Sequence, residues 1–154
     1  MPIYFVTGNH ERYLKDSAKK MNELIHYGIQ RIDQKTLENF GIRLIGIGDH
    51  ALKNQPLDWF KNMPKSSLFT ILMVHQPSLW PKAADFCDLM LSGHTHAGQM
   101  APFHWLVQLQ FKFYRGLYQW NQSWLYVSSG AGNWGPQLRI GSTCELVDIH
   151  LIPE

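Results

Sequence analysis

The chain has 154 residues, which suits one domain, and 45% of them are hydrophobic and 13% aromatic, enough to exclude disorder and to build a core. Only 17% are charged, and 14 basic against 12 acidic side chains leave a formal +2, too balanced to indicate nucleic-acid binding. The longest apolar runs are as short as Ile71 to Val74, so no membrane-spanning helix or signal peptide is read, and two cysteines cannot make a disulfide framework.

In chain order, Ile3-Tyr4-Phe5-Val6 reads as a buried strand that breaks at Gly8-Asn9. Asp16 or Ser17 can cap a helix carrying Met21, Leu24 and Ile25 on one face and stopping at Gly28. Asn39-Phe40-Gly41 is a hairpin turn leading into a strand from Ile42 to Ile47, with Gly48-Asp49 at its end. Leu57 to Asn62 reads as one or two helical turns before Pro64. Leu68 to Val74 is the clearest buried strand and ends at His75-Gln76-Pro77. Leu89-Met90-Leu91 is a further strand, ending at Ser92-Gly93-His94. Trp124 to Ser128 and Thr143 to Ile152 read as two more, with the Gly-rich stretch Gly130 to Pro136 as the turn between them. Strands with short intervening helices make the fold class α/β or α+β. Cys87 and Cys144 read as small buried apolar residues.

Three times in this pass a buried strand is followed at once by a metal-capable side chain: Asn9-His10, His75 and His94-Thr95-His96. Sites in open α/β sheets gather at the carboxyl ends of the strands, where three such loops would bring four imidazoles and an amide together. His94 and His96, two apart in an extended loop, would point to opposite sides and serve two adjacent metal ions. Each piece also has a plainer reading. The His-x-His pair can be a coincidence of surface or core, Asn9 can be an ordinary turn residue with His10 exposed beside it, and His75 can be a satisfied core histidine.

Taken together, Gly8-Asn9-His10-Glu11, the isolated His75 after a strand, and Gly93-His94-Thr95-His96 resemble three motifs of the calcineurin-like metallophosphoesterase superfamily, in their family order. Pro102-Phe103, Gly116-Leu117-Tyr118 and Trp134-Gly135-Pro136 are similar to one bacterial branch, whose members often carry an N-terminal membrane segment. The resemblance implies a four-layer α/β/β/α sandwich and two divalent metal ions, with Mn, Fe, Zn, Co and Ni all compatible with the ligand types. It implies that Asn9, His75 and His94 bind one metal and that His96 helps to bind the other. It places His10 near the scissile phosphate as the catalytic residue. The implied reaction is hydrolysis of a phosphodiester or pyrophosphate bond, with a substrate that is lipid- or nucleotide-linked in some relatives.

Two family motifs, Asp-x-His and Gly-Asp-x-x-Asp, are expected ahead of Gly8, and seven residues leave no room for them. The expectation is therefore that residues 1–154 form the C-terminal part of the sandwich, and that the N-terminal half, with the bridging carboxylate, is required for activity. The alternative reading is an inactive fragment that binds at most one metal; a structural zinc site is disfavoured because no cysteine lies near the histidines. Asp49-His50 comes in the wrong order for a family motif and reads as structural. His26, His50, His104 and His150 match no ligand position. Ala97 stands where the family commonly has Gly, a mild change provided its φ stays negative. The segment 103–120, with seven aromatics around Lys112 and Arg115, reads either as an apolar flap contacting lipid or the membrane surface, or as a core-packing loop and hairpin.

Overall fold

The computed structural model describes residues 2–52, 62–64 and 66–152, and it is α/β. Strand β1 (Ile3–Phe5) leads through a 3-10 turn to helix α1 (Ser17–Glu23), and β2 (Ile29–Arg31) returns to pair with β1 in parallel. Asp16 stands at the helix start without a side-chain cap, and Gly28 (φ 75°) ends the 3-10 turn that follows the helix. No residue of α1 is buried, so its expected apolar face is a surface face.

The main sheet has six strands: β3 (Lys35–Asn39), β4 (Ile42–Ile47), β5 (Phe69–Val74), β6 (Leu89–Ser92), β7 (Gly116–Trp120) and β8 (Ser123–Val127). Their order is β3-β4-β5-β6-β8-β7; β4, β5, β6 and β8 run parallel, and β3 and β7 are antiparallel edges. Among the described residues, three short helices, α2 (Asp49–Leu52), α3 (Trp80–Ala83) and α4 (Phe103–Gln110), lie in the connections. The helical turns read at Leu57 to Asn62 lie, up to residue 61, outside the described residues. Among the described residues no helix is long and apolar enough to cross a membrane.

The period-2 pattern of the parallel strands decides which face is the core. Ile45, Ile47, Leu72, Val74, Met90, Leu125 and Val127 are almost fully buried on one face, packed on Leu79, Trp80, Ala83 and Phe113. Each such side chain contributes roughly 1.5–3 kcal/mol of burial. The Trp80 and Phe113 rings meet edge to face at 5.1 Å. On the other face Leu44, Ile71, Met73 and Leu91 are half-buried and Trp124 is exposed. The β1–β2 layer reaches that face at Gly46, where a Cβ would lie 2.2 Å from the Ile32 carbonyl oxygen.

Three expectations are corrected. Thr143 to Ile152 is irregular and largely exposed, although alternating side chains suggested a strand; Leu146 is 92% exposed, so no second surface rewards the alternation. Gly130 to Pro136 is accordingly not a turn between strands. Cys144 is exposed, and only Cys87 is buried. The segment 103–120 forms α4, a loop and β7, and β7 with β8 makes a hairpin.

Candidate metal centre

The carboxyl ends of β4, β5, β6 and β8 lie at one edge of the sheet, and the loop after β1 is tied to it. Thr7 donates its backbone N–H and hydroxyl to the Asp33 carboxylate at 2.9 and 2.7 Å, and the Asp49 N–H donates to the Thr7 carbonyl at 2.9 Å. Asp49 is fully buried, pairs with the Arg12 guanidinium and accepts a hydrogen bond from the Gln76 amide. One buried carboxylate thus joins the loops that follow β1, β4 and β5. This is the structural role read for Asp49, though its partners are invisible in sequence because they lie 37 and 27 positions away.

Each candidate ligand is held by its own strand end. Ladder-like bonding continues one residue beyond β5 and β6, where the Gly93 N–H donates to the His75 carbonyl at 3.1 Å. Gly8 leaves room for the imidazole of His75, since a Cβ there would come within 2.9 Å of ring atoms Cε1 and Nδ1. The Glu11 carboxylate accepts from the Gly8 N–H at 2.6 Å and closes the turn that presents Asn9.

Three donor atoms then converge. Asn9 Oδ1 lies 2.7 Å from His75 Nε2, and His75 Nε2 lies 3.1 Å from His94 Nδ1. A single proton on Nε2 can serve only one of its two neighbours, whereas a cation satisfies all three lone pairs at once. Adjacent ligands about 2.1 Å from an octahedral ion are about 3 Å apart, so the spacing and the donor types fit a divalent metal. Among the described residues there is no group of three or more His, Cys, Asp or Glu side chains able to hold a metal; the third donor is an amide.

Electrostatics favour the same conclusion. Burial, and after it the neighbouring imidazoles of His94, His96 and His10, push the His75 pKa down to about 4. His94 is lowered by burial and by His10, and His96 by burial and then by Arg139, His10 and His94. All three are therefore neutral near pH 7, the state in which imidazole binds metal.

His96 lines the same cavity as Asn9 and His94, and its Nδ1 is buried with no hydrogen-bond partner. The loop that carries it is not extended: His94 (φ 72°), His96 (φ 50°) and Ala97 (φ 50°) are all left-handed. The expected opposite-facing geometry of an extended pair is thus corrected, and so is the negative φ expected of Ala97. A side-chain-bearing residue pays of order 1 kcal/mol for that conformation. The Thr95 hydroxyl holds the loop by donating to the Tyr114 carbonyl at 2.6 Å, and the Tyr114 hydroxyl donates to the Ala97 carbonyl. His10 is exposed, with its ring edge to face with Tyr13 at 5.7 Å, and it borders the same cavity as Asn9, His94 and His96.

Two residues that organise the edge were not singled out from sequence. The buried Gln99 amide donates to the carbonyls of Trp134, Pro136 and Leu138 and accepts from the Trp134 N–H at 2.6 Å. The Arg139 guanidinium binds the Ser129 carbonyl at 2.8 Å and the His96 carbonyl at 3.3 Å. Gln99 had a signal, an amide inside an otherwise small and apolar run next to a histidine pair. Arg139 had none, since its acceptors are backbone carbonyls up to 43 positions away.

The description of calcineurin-like phosphoesterases matches residues 1–98 of this chain. The chain is 39% identical to an uncharacterized metallophosphoesterase of Campylobacter jejuni, over 96% of its own length and 41% of that protein. It is 38% identical to an uncharacterized metallophosphoesterase of Helicobacter pylori, over 98% of its length and 43% of the relative. A transmembrane protein with metallophosphoesterase domain from Bos taurus is 31% identical over 96% of the chain and 38% of the relative. The chain thus spans about two fifths of the length of these curated relatives. No solved structure gives a significant match.

Proposed function

The chain belongs to the calcineurin-like phosphoesterase family, and from that premise we propose that Asn9, His75 and His94 hold a divalent metal ion in a metal-dependent phosphoesterase that hydrolyses a phosphodiester or pyrophosphate bond. The observation that carries this reading is the meeting of one amide oxygen and two imidazole nitrogens at 2.7 and 3.1 Å. Bound there, the ion would polarise phosphoryl oxygens and acidify a coordinated water.

The chain's own residues have separable tasks. Gly8 and the strand-end bonding orient His75, and burial keeps the imidazoles neutral. His96, on its left-handed turn, is the candidate ligand of a second metal. His10, free to reach the cavity, is positioned to stabilise charge on the phosphate or to hand a proton to the leaving oxygen.

The donor set suffices for one ion, so the isolated chain is expected to bind one equivalent of Mn or Zn and to show little or no turnover of a chromogenic phosphodiester. Calorimetric titration together with an activity assay in excess Mn tests both statements. No binding would end the metal reading, whereas turnover typical of an intact enzyme would show that these residues are sufficient.

A further inference from the structure

The strand register sets four polar side chains in one row at the amino ends of the parallel strands. Arg43 stands opposite Thr70 in the β4–β5 pairing. The ladder continues one residue ahead of β6, where the Asp88 N–H donates to the Thr70 carbonyl at 2.9 Å and the Trp124 N–H to the Asp88 carbonyl at 2.8 Å. Ser123, the first residue of β8, completes the row. Side chains two apart on a strand share a face. The row therefore lies on the core side of the sheet, one step below the paired apolar row that runs from Ile45 to Leu125.

This row lines a cavity of about 690 Å³, which Asp85 also borders. Five positions separate Thr70 from His75, about 16 Å of extended strand, so the cavity is remote from the metal donors. It holds charges of both signs that do not close on one another: among the described residues no ion pair joins Arg43 to Asp85 or Asp88. The ion pair that Arg43 does make is with the exposed Glu38, 3.8 Å from Nε and too long for a hydrogen bond.

The guanidinium is only partly satisfied. Arg43 is 6% exposed, its Nη1 donates to the Pro64 carbonyl at 2.7 Å, and its Nε is buried with no hydrogen-bond partner. A buried charged donor left without an acceptor is costly, and a ligand oxygen on Nε removes that cost. Across the row, Asp88 Oδ2 accepts from the Thr70 N–H at 2.6 Å, the one hydrogen bond of that carboxylate among the described residues.

Charge of both signs narrows the ligand chemistry. A simple anion on Arg43 would face the carboxylates of Asp85 and Asp88, and a simple cation beside those carboxylates would face Arg43. A molecule carrying both signs meets an opposite charge at each end. We propose that this cavity is a second binding site, for a small amino carboxylate (an amino acid or a dipeptide), with the carboxylate on Arg43 Nε and the ammonium at Asp88 and Asp85. The site is independent of the metal reading, since it shares no residue with it.

The test titrates the 154-residue chain in EDTA, so that the metal donors take no part, with glycine, 4-aminobutyrate and alanylalanine. Each is compared with its N-acetyl form, which lacks the ammonium, and its methyl ester, which lacks the carboxylate. The tightest of the three zwitterions should lose about tenfold in affinity on either blocking, the size of one charge-assisted hydrogen bond. Arg43→Met should bring the zwitterion down to the affinity of its ester. Asp88→Asn, which keeps an oxygen for the Thr70 N–H, should bring it down to that of the N-acetyl form. Thermal melting checks that both variants fold. Amide shifts of the unaltered chain decide the matter even if Arg43→Met does not fold: they should move at Thr70, Asp88 and Ser123 and stay still at His75 and Gly93. No binding at millimolar concentration, equal affinity of blocked and unblocked forms, undiminished binding by a folded Arg43→Met, or shifts confined to the His75 and Gly93 end each overturns the proposal.

Discussion

Two cavities of almost equal volume lie at opposite ends of the same parallel strands. The one at the amino ends is about 690 Å³ and is lined by Arg43, Thr70, Asp88 and Ser123 among others; the one at the carboxyl ends is about 680 Å³. Size does not tell them apart, but the state of their polar groups does. At the amino ends the Thr70 N–H donates to Asp88 at 2.6 Å, Arg43 donates to the Pro64 carbonyl at 2.7 Å and the Ser123 hydroxyl accepts from the Trp80 indole at 3.2 Å, while the buried Arg43 Nε has no hydrogen-bond partner. Burial pushes the Cys87 thiol there up to about 12, so it is an unreactive packing residue. At the carboxyl ends, lone pairs face one another with no proton to share among all three. Pairs closed within the chain fit an architectural role, whereas three converging donor atoms are what the proposed metal site requires.

The contrast can be broken in stages. Removing the core that both ends share should have the largest effect: Leu72→Ala, at a fully buried position in the central strand, should cost about 3 kcal/mol in denaturant unfolding. A loss well under about 1 kcal/mol would mean that the two ends are not carried by one core. Next comes His75→Ala, which should lower Mn or Zn affinity about 100-fold or more while leaving the sheet folded. Unchanged titration curves would show that the converging donors are not ligands.

Proton linkage sharpens the comparison in the metal-free chain. His75 titrates at about 4 when folded against 6.5 when free, because burial and then the neighbouring imidazoles disfavour its charged form. The unfolded chain therefore binds more protons between those values, so the stabilising contribution is full above about 6.5 and is lost as pH falls towards about 4. His94 and His96 act in the same direction. Urea unfolding in EDTA across this window should show the loss, and His75→Ala should flatten it; an unchanged slope in that variant would remove His75 as the cause.

Smaller still is Gly8→Ala, whose Cβ would press on the His75 ring at 2.9 Å. It should weaken metal binding roughly tenfold, the size of an orienting contact, and identical affinity in a calorimeter would show that the ring can shift freely. Arg43→Met at the opposite cavity should leave metal affinity unchanged within error. A shift there would mean that the two ends are coupled through the strands.

Much of the architecture was legible because burial imposes period-2 patterns on strands that are covered on one face. The runs at residues 42–47, 68–74, 89–91 and 124–128 all proved to be strands, with ends moved by a residue or so. The candidate ligands were legible for a related reason, since each lies within four residues of a strand end and cannot be far from that edge. The tail at 143–152 failed the same test: alternation predicts a strand only where a partner and a buried face exist, and neither is present there. The turn at His94 to Ala97 also escaped, since a left-handed path for three side-chain-bearing residues is a strained choice that local sequence does not announce.

The amino-acid sequence by itself determined the kinds of donor and the strand ends that carry them, because chemistry and hydrophobic period are local properties. Only the tertiary structure decided that Asn9 Oδ1 and His94 Nδ1 both lie within 3.1 Å of His75 Nε2. That choice depends on pairing across the sheet, on the missing Cβ of Gly8, and on Gln99 and Arg139 gripping carbonyls some 30 to 40 residues away. Such contacts form only once the chain has closed on itself, and no window of neighbouring residues contains them.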